Sequence, residues 1–176
     1  SKSRSRFPGI VVTTPNATSR VNSSYGGTLS QWHVDPGATV EAGAVIATIL
    51  SAELLTQQNL WLQSNAVAEQ AGIELERDRR LLDLGIISQQ RLEQTQRSFE
   101  QAQIDLASNQ ARLELAGFQS EALNALLRDR NNLGSYQVRA PGAGVLTHRS
   151  YGVGDVIADY EEIASIQQNE DAWLAD

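Results

Sequence analysis

Two stretches of short, alternating apolar positions flank a long segment with a different period. In the first stretch, Gly27–Val34 alternates towards an Asp35-Pro36-Gly37 turn, and a second apolar run follows at Val45–Ile49. Proline fixes φ and glycine permits positive φ, so Asp-Pro-Gly indicates a turn between strands. The second stretch, Gly144–Tyr151, leads into its own glycine turn. The pattern predicts two groups of short β-strands.

The two stretches are copies of one another at an offset of 117 positions, the separation of Gly27 from Gly144. Eight pairs at this offset are apolar or glycine in both copies: Val21/Val138, Gly27/Gly144, Leu29/Leu146, Gly37/Gly154, Val40/Ile157, Ile46/Ile163, Ala47/Ala164 and Ile49/Ile166. Because neither copy can bury its apolar face alone, we expect the two halves to pack face to face in one small sandwich. Two unrelated hairpins are the alternative.

Between the copies the period changes from 2 to 3.6, which is typical of helices. One heptad series begins after Ser51 and consists of Leu54, Trp61, Ala68, Leu75 and Leu82. A second series follows Ser88 and consists of Leu92, Phe99, Leu106 and Leu113, flanked by Thr95, Ala102, Asn109 and Ala116. Two apolar stripes joined by a short link predict an antiparallel coiled-coil hairpin with arms of roughly 45 Å.

Cap residues mark the ends of the predicted helices. Ser51 and Ser88 are predicted N-caps, and Gly85 and Gly117 are predicted C-terminal stops. A third short helix, capped by Ser120, is predicted to run to about residue 130, after which Gly134 returns the chain to the second β-half. The cluster Arg77-Asp78-Arg79-Arg80 is interpreted as a solvated surface near the hairpin tip.

Composition narrows the classes of function. The 176 residues carry 14 Lys+Arg and 21 Asp+Glu, a formal charge of −7, which argues against a nucleic-acid partner. The chain has no Cys and no Met, so disulfides, thiolate nucleophiles and sulfur-based metal sites are excluded within it. No run reaches the roughly 20 apolar residues that a membrane span requires. Lys2 is the only lysine.

Candidate catalytic and metal-binding chemistry is sparse. The two histidines, His33 and His148, do not correspond at the repeat offset and have no acidic cluster beside them at ligand spacing. No nucleotide-binding or nucleophile-elbow motif occurs. We therefore predict a protein that is not an enzyme, with no catalytic residues, no metal site and no cofactor.

The split β-sandwich resembles the lipoyl/biotinyl carrier fold, in which two similar halves meet at a turn carrying an acceptor lysine. Here the helical hairpin replaces that turn and no lysine follows Lys2, so a covalent carrier is excluded. Gly27–Ile49 and Val138–Leu146 resemble the two lipoyl halves of the periplasmic adaptor (membrane fusion protein) family of tripartite efflux systems, of the resistance-nodulation-division type. Ser23-Ser24 departs from the Ala-Pro pair that often stands there.

The tip of the hairpin carries a further part of the resemblance. Adaptors of pump-driven systems have Arg, then Leu four residues later, then Ser or Thr seven beyond, and Arg77, Leu81 and Ser88 have this spacing. The resemblance implies that these side chains bind the outer-membrane channel. Alternatively, Arg77 is solvated, Leu81 packs the hairpin and Ser88 only caps a helix. Ser51–Leu55 and Leu113–Ala122 are similar to the heavy-metal branch of the family.

The resemblance implies an α+β fold in five parts: 1–20, a partial β-barrel strand; 21–50, lipoyl-like half 1; 51–134, the hairpin with its third helix; 135–167, lipoyl-like half 2; and 168–176, the start of a β-barrel domain, so that truncated barrel edges lie at both termini. The implied partners are an inner-membrane transporter, an outer-membrane channel and further copies of the chain in a ring, a hexamer. The implied location is the periplasm, with an inner-membrane anchor on a segment that this chain lacks.

Three alternatives to this function remain open from the sequence. The first is an adaptor of a type I secretion system, and the second is an adaptor of an ATP-driven export system. The third is a coiled-coil scaffold with no role in transport.

Overall fold

A computed structural model describes residues 17–168, which form eight β-strands and three α-helices. The strands are β1 (Thr18–Asn22), β2 (Gly27–Trp32), β3 (Thr39–Val40), β4 (Val45–Leu50), β5 (Ser135–Arg139), β6 (Gly144–Arg149), β7 (Val156–Ile157) and β8 (Glu162–Gln167). The helices are α1 (Ala52–Asp83), α2 (Gln89–Leu115) and α3 (Ser120–Arg128). The predicted α+β fold, a split sandwich interrupted by a helical hairpin, is confirmed. The barrel edges expected within 1–16 and 169–176 lie outside the described residues.

The strands form two antiparallel sheets of four, ordered β1-β8-β6-β3 and β5-β4-β2-β7. Each sheet takes two strands from each half, so the halves interleave and do not stack as separate layers. The expected face-to-face packing therefore holds for the central strands, β2 and β4 of the first half against β6 and β8 of the second, whereas each half supplies the two edge strands of the other's sheet. Within each half one pair of strands is directly hydrogen-bonded: β2 with β4 in the first half, and β6 with β8 in the second.

The repeat relates the two sheets to each other strand by strand, because an offset of 117 converts the first sheet order into the second. The backbone N–H of Gly37 donates to the carbonyl of Leu146 at 2.6 Å, and that of Gly154 donates to Leu29 at 2.8 Å. The repeat offset maps each of these two hydrogen bonds onto the other. The two halves of the sandwich are therefore related by an internal twofold symmetry, and the paired apolar positions of the repeat occupy equivalent places in it.

The same relation explains an unusual backbone angle at Tyr160, which has φ of 60°. Its counterpart at the repeat offset is Gly43, with φ of 83°. The N–H of Gly43 donates to Ala140 at 2.8 Å, and the N–H of Tyr160 donates to the equivalent Ser23 at 2.6 Å. The second half thus keeps the same turn, although Tyr160 stands where the first half has a glycine, the residue that adopts positive φ most readily.

The sandwich core lies between the two sheets and contains the paired positions of the repeat. Its buried members are Val21, Leu29, Val40, Ile46, Ala47, Ile49, Val138, Ala140, Leu146, Ile157, Ile163, Ala164 and Ile166. All eight predicted pairs except the two glycine pairs lie in this core. The repeat therefore located the core correctly.

A second buried cluster joins the hairpin to the sandwich. It consists of Tyr25, Leu54, Trp61, Leu62, Leu113, Leu123 and Leu126. Helix α3 closes this cluster with its two buried leucines. We refer to it below as the base cluster, because it fixes the foot of the hairpin against the sheets.

The hairpin helices begin and end at the residues that the sequence indicated. The Ser51 and Ser88 hydroxyls accept hydrogen bonds from the backbone N–H groups three residues on, at 3.2 and 3.1 Å. Beyond α1, Gly85 has φ of 73°, and the N–H groups of Gly85 and Ile86 return to the carbonyls of Leu82 and Leu81. Gly117 ends α2 in the same way. Both ends are Schellman motifs.

Helix α3 departs from its prediction by one residue at its start. Gln119 is the N-cap and Ser120 is the first helical residue, and within the described chain no side chain caps this helix. The helix ends at Arg128, two residues before the predicted end. Its position is set by the burial of Leu123 and Leu126.

The interior of the hairpin is only partly the predicted apolar stripe. Four of the five predicted positions on α1 are buried: Leu54, Trp61, Ala68 and Leu75. On α2 the predicted Leu113 and the flanking Thr95 and Ala102 are buried, whereas Leu92, Phe99 and Leu106 are half-buried. Because only two helices form the hairpin, their interface stays open to solvent along both sides, and large side chains such as Phe99 are only half-buried there.

Candidate functional site

The turn between α1 and α2 forms the distal end of the hairpin. At 1.5 Å per residue, the 32 residues of α1 extend to about 48 Å from the sandwich. Leu84 and Ile86 lie on this turn with 72% and 65% of their surfaces exposed. Both side chains are therefore left accessible at the distal end of the hairpin, where they add nothing to the core.

The three residues predicted to bind a partner all lie at this end. Arg77 and Leu81 occupy the last two turns of α1, and Ser88 directly precedes α2. The Arg77 side chain is 53% exposed, whereas Leu81 is half-buried. Leu81 therefore packs in part against the hairpin and is in part accessible at its surface.

Ser88 has a structural task that limits what else it can do. Its Oγ accepts from the backbone N–H of Arg91 at 3.1 Å and so caps α2. The residue is otherwise exposed, and its own O–H proton is not used in that bond. A partner that binds Ser88 through this proton must offer a hydrogen-bond acceptor.

Asp78 is the functional candidate that the sequence did not indicate. Its side chain is 3% exposed, so the interpretation of Arg77–Arg80 as uniformly solvated is wrong at this position. It lies three residues after Leu75, which places it on the inward face of α1. The heptad spacing of Asp78 from Leu75 could have indicated that this carboxylate is buried. The neighbouring arginines led instead to the interpretation of the whole cluster as solvated.

The Asp78 carboxylate contacts three residues at the tip. Oδ2 accepts from the Thr95 hydroxyl at 2.5 Å and lies 3.3 Å from Nε of Arg91, and Oδ1 lies 3.8 Å from Nε of Arg77. The Thr95 hydrogen bond, followed by the Arg91 hydrogen bond and the two positive charges, holds the pKa of Asp78 below its ordinary value against the opposing effect of burial. The carboxylate is therefore charged and links α1 to α2.

The sandwich offers little catalytic or metal chemistry. His33 shares a hydrogen bond of 2.7 Å with Thr48, and His148 is exposed. Within residues 17–168 no group of three or more His, Asp or Glu side chains is arranged to hold a metal ion. Among the helices of that range, none is long and apolar enough to cross a membrane.

Comparison with known proteins identifies what this fold is similar to. Residues 17–168 match the family model described as a CzcB-like, barrel-sandwich hybrid domain. The chain is 24% identical over 168 residues to the cation efflux system protein CzcB of Alcaligenes sp. strain CT14 and to the cobalt-zinc-cadmium resistance protein CzcB of Cupriavidus metallidurans. Each alignment covers 96% of this chain but only 31% of the relative.

Solved structures show the same architecture. ZneB from Cupriavidus metallidurans matches with a TM-score of 0.66 and 23% identity, over 88% of this chain and 62% of that one. A chimeric MacA–MexA protein containing the α-hairpin domain of Pseudomonas aeruginosa MexA matches with a TM-score of 0.56 and 12% identity, over 86% and 46% of the two chains. These likenesses show the fold.

Proposed function

The chain belongs to the CzcB-like barrel-sandwich hybrid family, one relative of which is named a cation efflux system protein, and on that premise we propose that it forms part of a periplasmic adaptor. The adaptor would bridge an inner-membrane efflux pump and an outer-membrane channel. The family match over all described residues carries the proposal. The sequence-based assignment to this family, including its heavy-metal branch, is confirmed by that match.

The proposed cargo is a divalent heavy-metal ion. One relative is named for resistance to cobalt, zinc and cadmium and another for cation efflux. This chain spans about a third of their length, and we assign it a structural part of the export system. The proposed role is not catalytic.

The geometry of the hairpin supports a bridging role. A rod of about 48 Å places the tip far from the sandwich, which suits contact between two separate proteins better than enclosure of a substrate. We propose that Arg77, Leu81 and Ser88 bind the channel at this tip. The sandwich would pack against neighbouring adaptor copies in a hexameric ring at the inner membrane.

A complementation experiment tests the tip assignment. The full-length protein carrying Arg77→Asp or Leu81→Glu is returned to a strain that lacks its own gene, and growth is measured in cobalt, zinc or cadmium. We expect both variants to lose metal tolerance and to lose crosslinking to the channel, because one alters the exposed charge and the other the apolar contact.

Matched changes elsewhere on the hairpin are the control. Arg97 and Ile104 are exposed on α2 away from the tip, so Arg97→Asp and Ile104→Glu should preserve tolerance and crosslinking. Unchanged export in both tip variants would refute the tip assignment. Wild-type protein that confers no metal tolerance and forms no crosslink would refute the adaptor proposal as a whole.

A further inference from the structure

A carboxylate buried near the end of the two-helix rod loses its hydration, and hydrogen bonds and ion pairs must offset that cost. Asp78 is 2% exposed as a residue, and its charge is compensated by Thr95, Arg91 and Arg77. Buried ion pairs add little to stability relative to apolar residues of similar volume, because removing the charges from water offsets their attraction. The cluster therefore invites a functional explanation.

Each helix contributes one arginine: Arg91 is hydrogen-bonded to Asp78, whereas Arg77 forms an ion pair with it beyond hydrogen-bond distance. Both use Nε, at 3.8 Å for Arg77 and 3.3 Å for Arg91, and each contacts a different carboxylate oxygen. Their side chains remain 53% and 58% exposed. Within the described part of the chain neither arginine has a hydrogen bond from its terminal Nη nitrogens, so those four groups are available to a partner at the surface.

We infer that Arg91 is a second docking residue beside Arg77, and that buried Asp78 is the positioning residue that holds both guanidinium groups ready for carboxylates on the partner protein. The inference deepens the proposed function and rests on it. Arg91 lies outside the Arg–Leu–Ser spacing, so the sequence motif alone would not select it.

Charge identifies the partner surface as acidic. Between residues 77 and 91 the chain carries four arginines and two carboxylates, one of which is the buried Asp78, whereas the whole chain has a formal charge of −7. The candidate docking groups are donors: two guanidinium groups and the Ser88 proton. Guanidinium groups bind carboxylates in a paired geometry, so an acidic surface satisfies both the charge and the donors.

Binding of the purified outer-membrane channel subunit to the full-length protein tests the role of Arg91. We expect Arg77→Ala and Arg91→Ala each to weaken the affinity about tenfold or more, the usual effect of losing a charge-assisted hydrogen bond. Arg79→Ala and Arg97→Ala remove the same charge from the same two helices and should weaken it by no more than about threefold. An Arg91→Ala variant that binds like these controls would overturn the inference.

The role of Asp78 is tested by measuring whether its effect on affinity requires Arg77 and Arg91. Asp78→Leu places an apolar residue at a core position, and the single hydroxyl proton of Thr95 can then be donated to the carbonyl of Arg91, which lies 3.1 Å away. We expect the thermal stability to be maintained or raised while the affinity falls. In the Arg77→Ala/Arg91→Ala background the same change should have no further effect on affinity, because Asp78 acts through the arginines. An undiminished effect in that background would contradict a positioning role.

Salt dependence identifies the acceptor on the channel. If the acceptors on the channel are carboxylates, the affinity of the wild type should fall steeply between about 50 mM and about 300 mM salt. The affinity of the Arg77→Ala/Arg91→Ala variant should depend less on salt. Equal dependence in both proteins would refute the acidic partner surface and indicate neutral carbonyl groups. Wild-type protein that fails to bind at low salt would instead count against the proposed function, so the two failures are distinguishable.

Discussion

Gly27 and Gly144 occupy equivalent positions in the two halves, and both lie against the backbone of a neighbouring strand. A Cβ added at Gly27 would lie 2.1 Å from the Leu50 carbonyl oxygen, and one at Gly144 would lie 2.3 Å from that of Gln167. Gly37 also has positive φ, 91°, but a Cβ there would meet nothing within 4 Å. The repeat thus preserves glycine for two physically different reasons.

This contrast gives a matched prediction. Gly27→Ala should destabilise the sandwich by about 3 kcal/mol or more, because a backbone oxygen cannot move aside without breaking sheet pairing. Gly37→Ala should cost only about 1 kcal/mol, the price of the left-handed conformation alone. Denaturant unfolding of the two variants measures both values. Equal losses would show that backbone conformation, and not close approach, dominates at Gly27.

The charge of Asp78 predicts a pH effect on stability. Its pKa is lower in the folded protein than in the unfolded chain, so its ionised form adds stability above the ordinary aspartate pKa of about 4. That stability is lost as the pH falls through the folded value. We expect the melting temperature of the wild type to decline more steeply than that of Asp78→Asn below about pH 4.

The control for this titration is Asp83→Asn, which changes an exposed carboxylate of the same helix. The melting temperature of this variant should fall with decreasing pH as steeply as that of the wild type, because removing the Asp83 charge leaves the contacts of Asp78 intact. If Asp78→Asn declines as steeply as the wild type, Asp78 does not contribute in the way its contacts indicate.

Among the elements, the helices were the most predictable. Serine caps, glycine stops and a heptad spacing all act within a few residues of one another, so local sequence was sufficient to place both ends of α1 and α2. The composition of the seam was less predictable. Whether Leu92 or Thr95 is buried depends on how α2 rotates against α1, and that rotation is set by contacts such as Phe99 against Gly72.

The base cluster yields a prediction for the hairpin as an element. Trp61 is 3% exposed, and its Nε1 lies 3.5 Å from the Gln110 side-chain oxygen. Trp61→Ala should destabilise the protein by about 3–5 kcal/mol through the cavity it leaves. Leu115→Ala, at a residue that is 90% exposed, should change stability by no more than about 0.5 kcal/mol. Comparable losses in the two variants, measured by thermal unfolding, would contradict the assignment of the base cluster.

For the whole molecule, the sequence predicted the location of the core but not the sheet order. Pairing Ile46 with Ile163 shows that both are buried, yet it does not say which strands are hydrogen-bonded, since that depends on crossings between sheets at the glycine turns. Asp78 was missed for a similar reason. Its environment is built by Arg91 and Thr95, which lie on the other helix.

The join between hairpin and sandwich gives a prediction at this scale. Leu50 and Ser135 are direct cross-strand partners in β4 and β5, and they bracket the whole insertion. Replacing residues 51–134 with an Asn-Gly turn should therefore leave a β4–β5 hairpin and a sandwich that folds alone. Circular dichroism and a cooperative melting transition measure this. A chain without such a transition would show that the base cluster is essential to the sheets.

The length of α1 makes the hairpin a lever arm. A tilt of about 6° at its foot displaces the end of a 48 Å rod by about 5 Å, one helical turn. Docking through side chains tolerates far less displacement than that. The angular precision of the tip is thus determined at the opposite end of the molecule, by Tyr25, Trp61 and the leucines that pack around them.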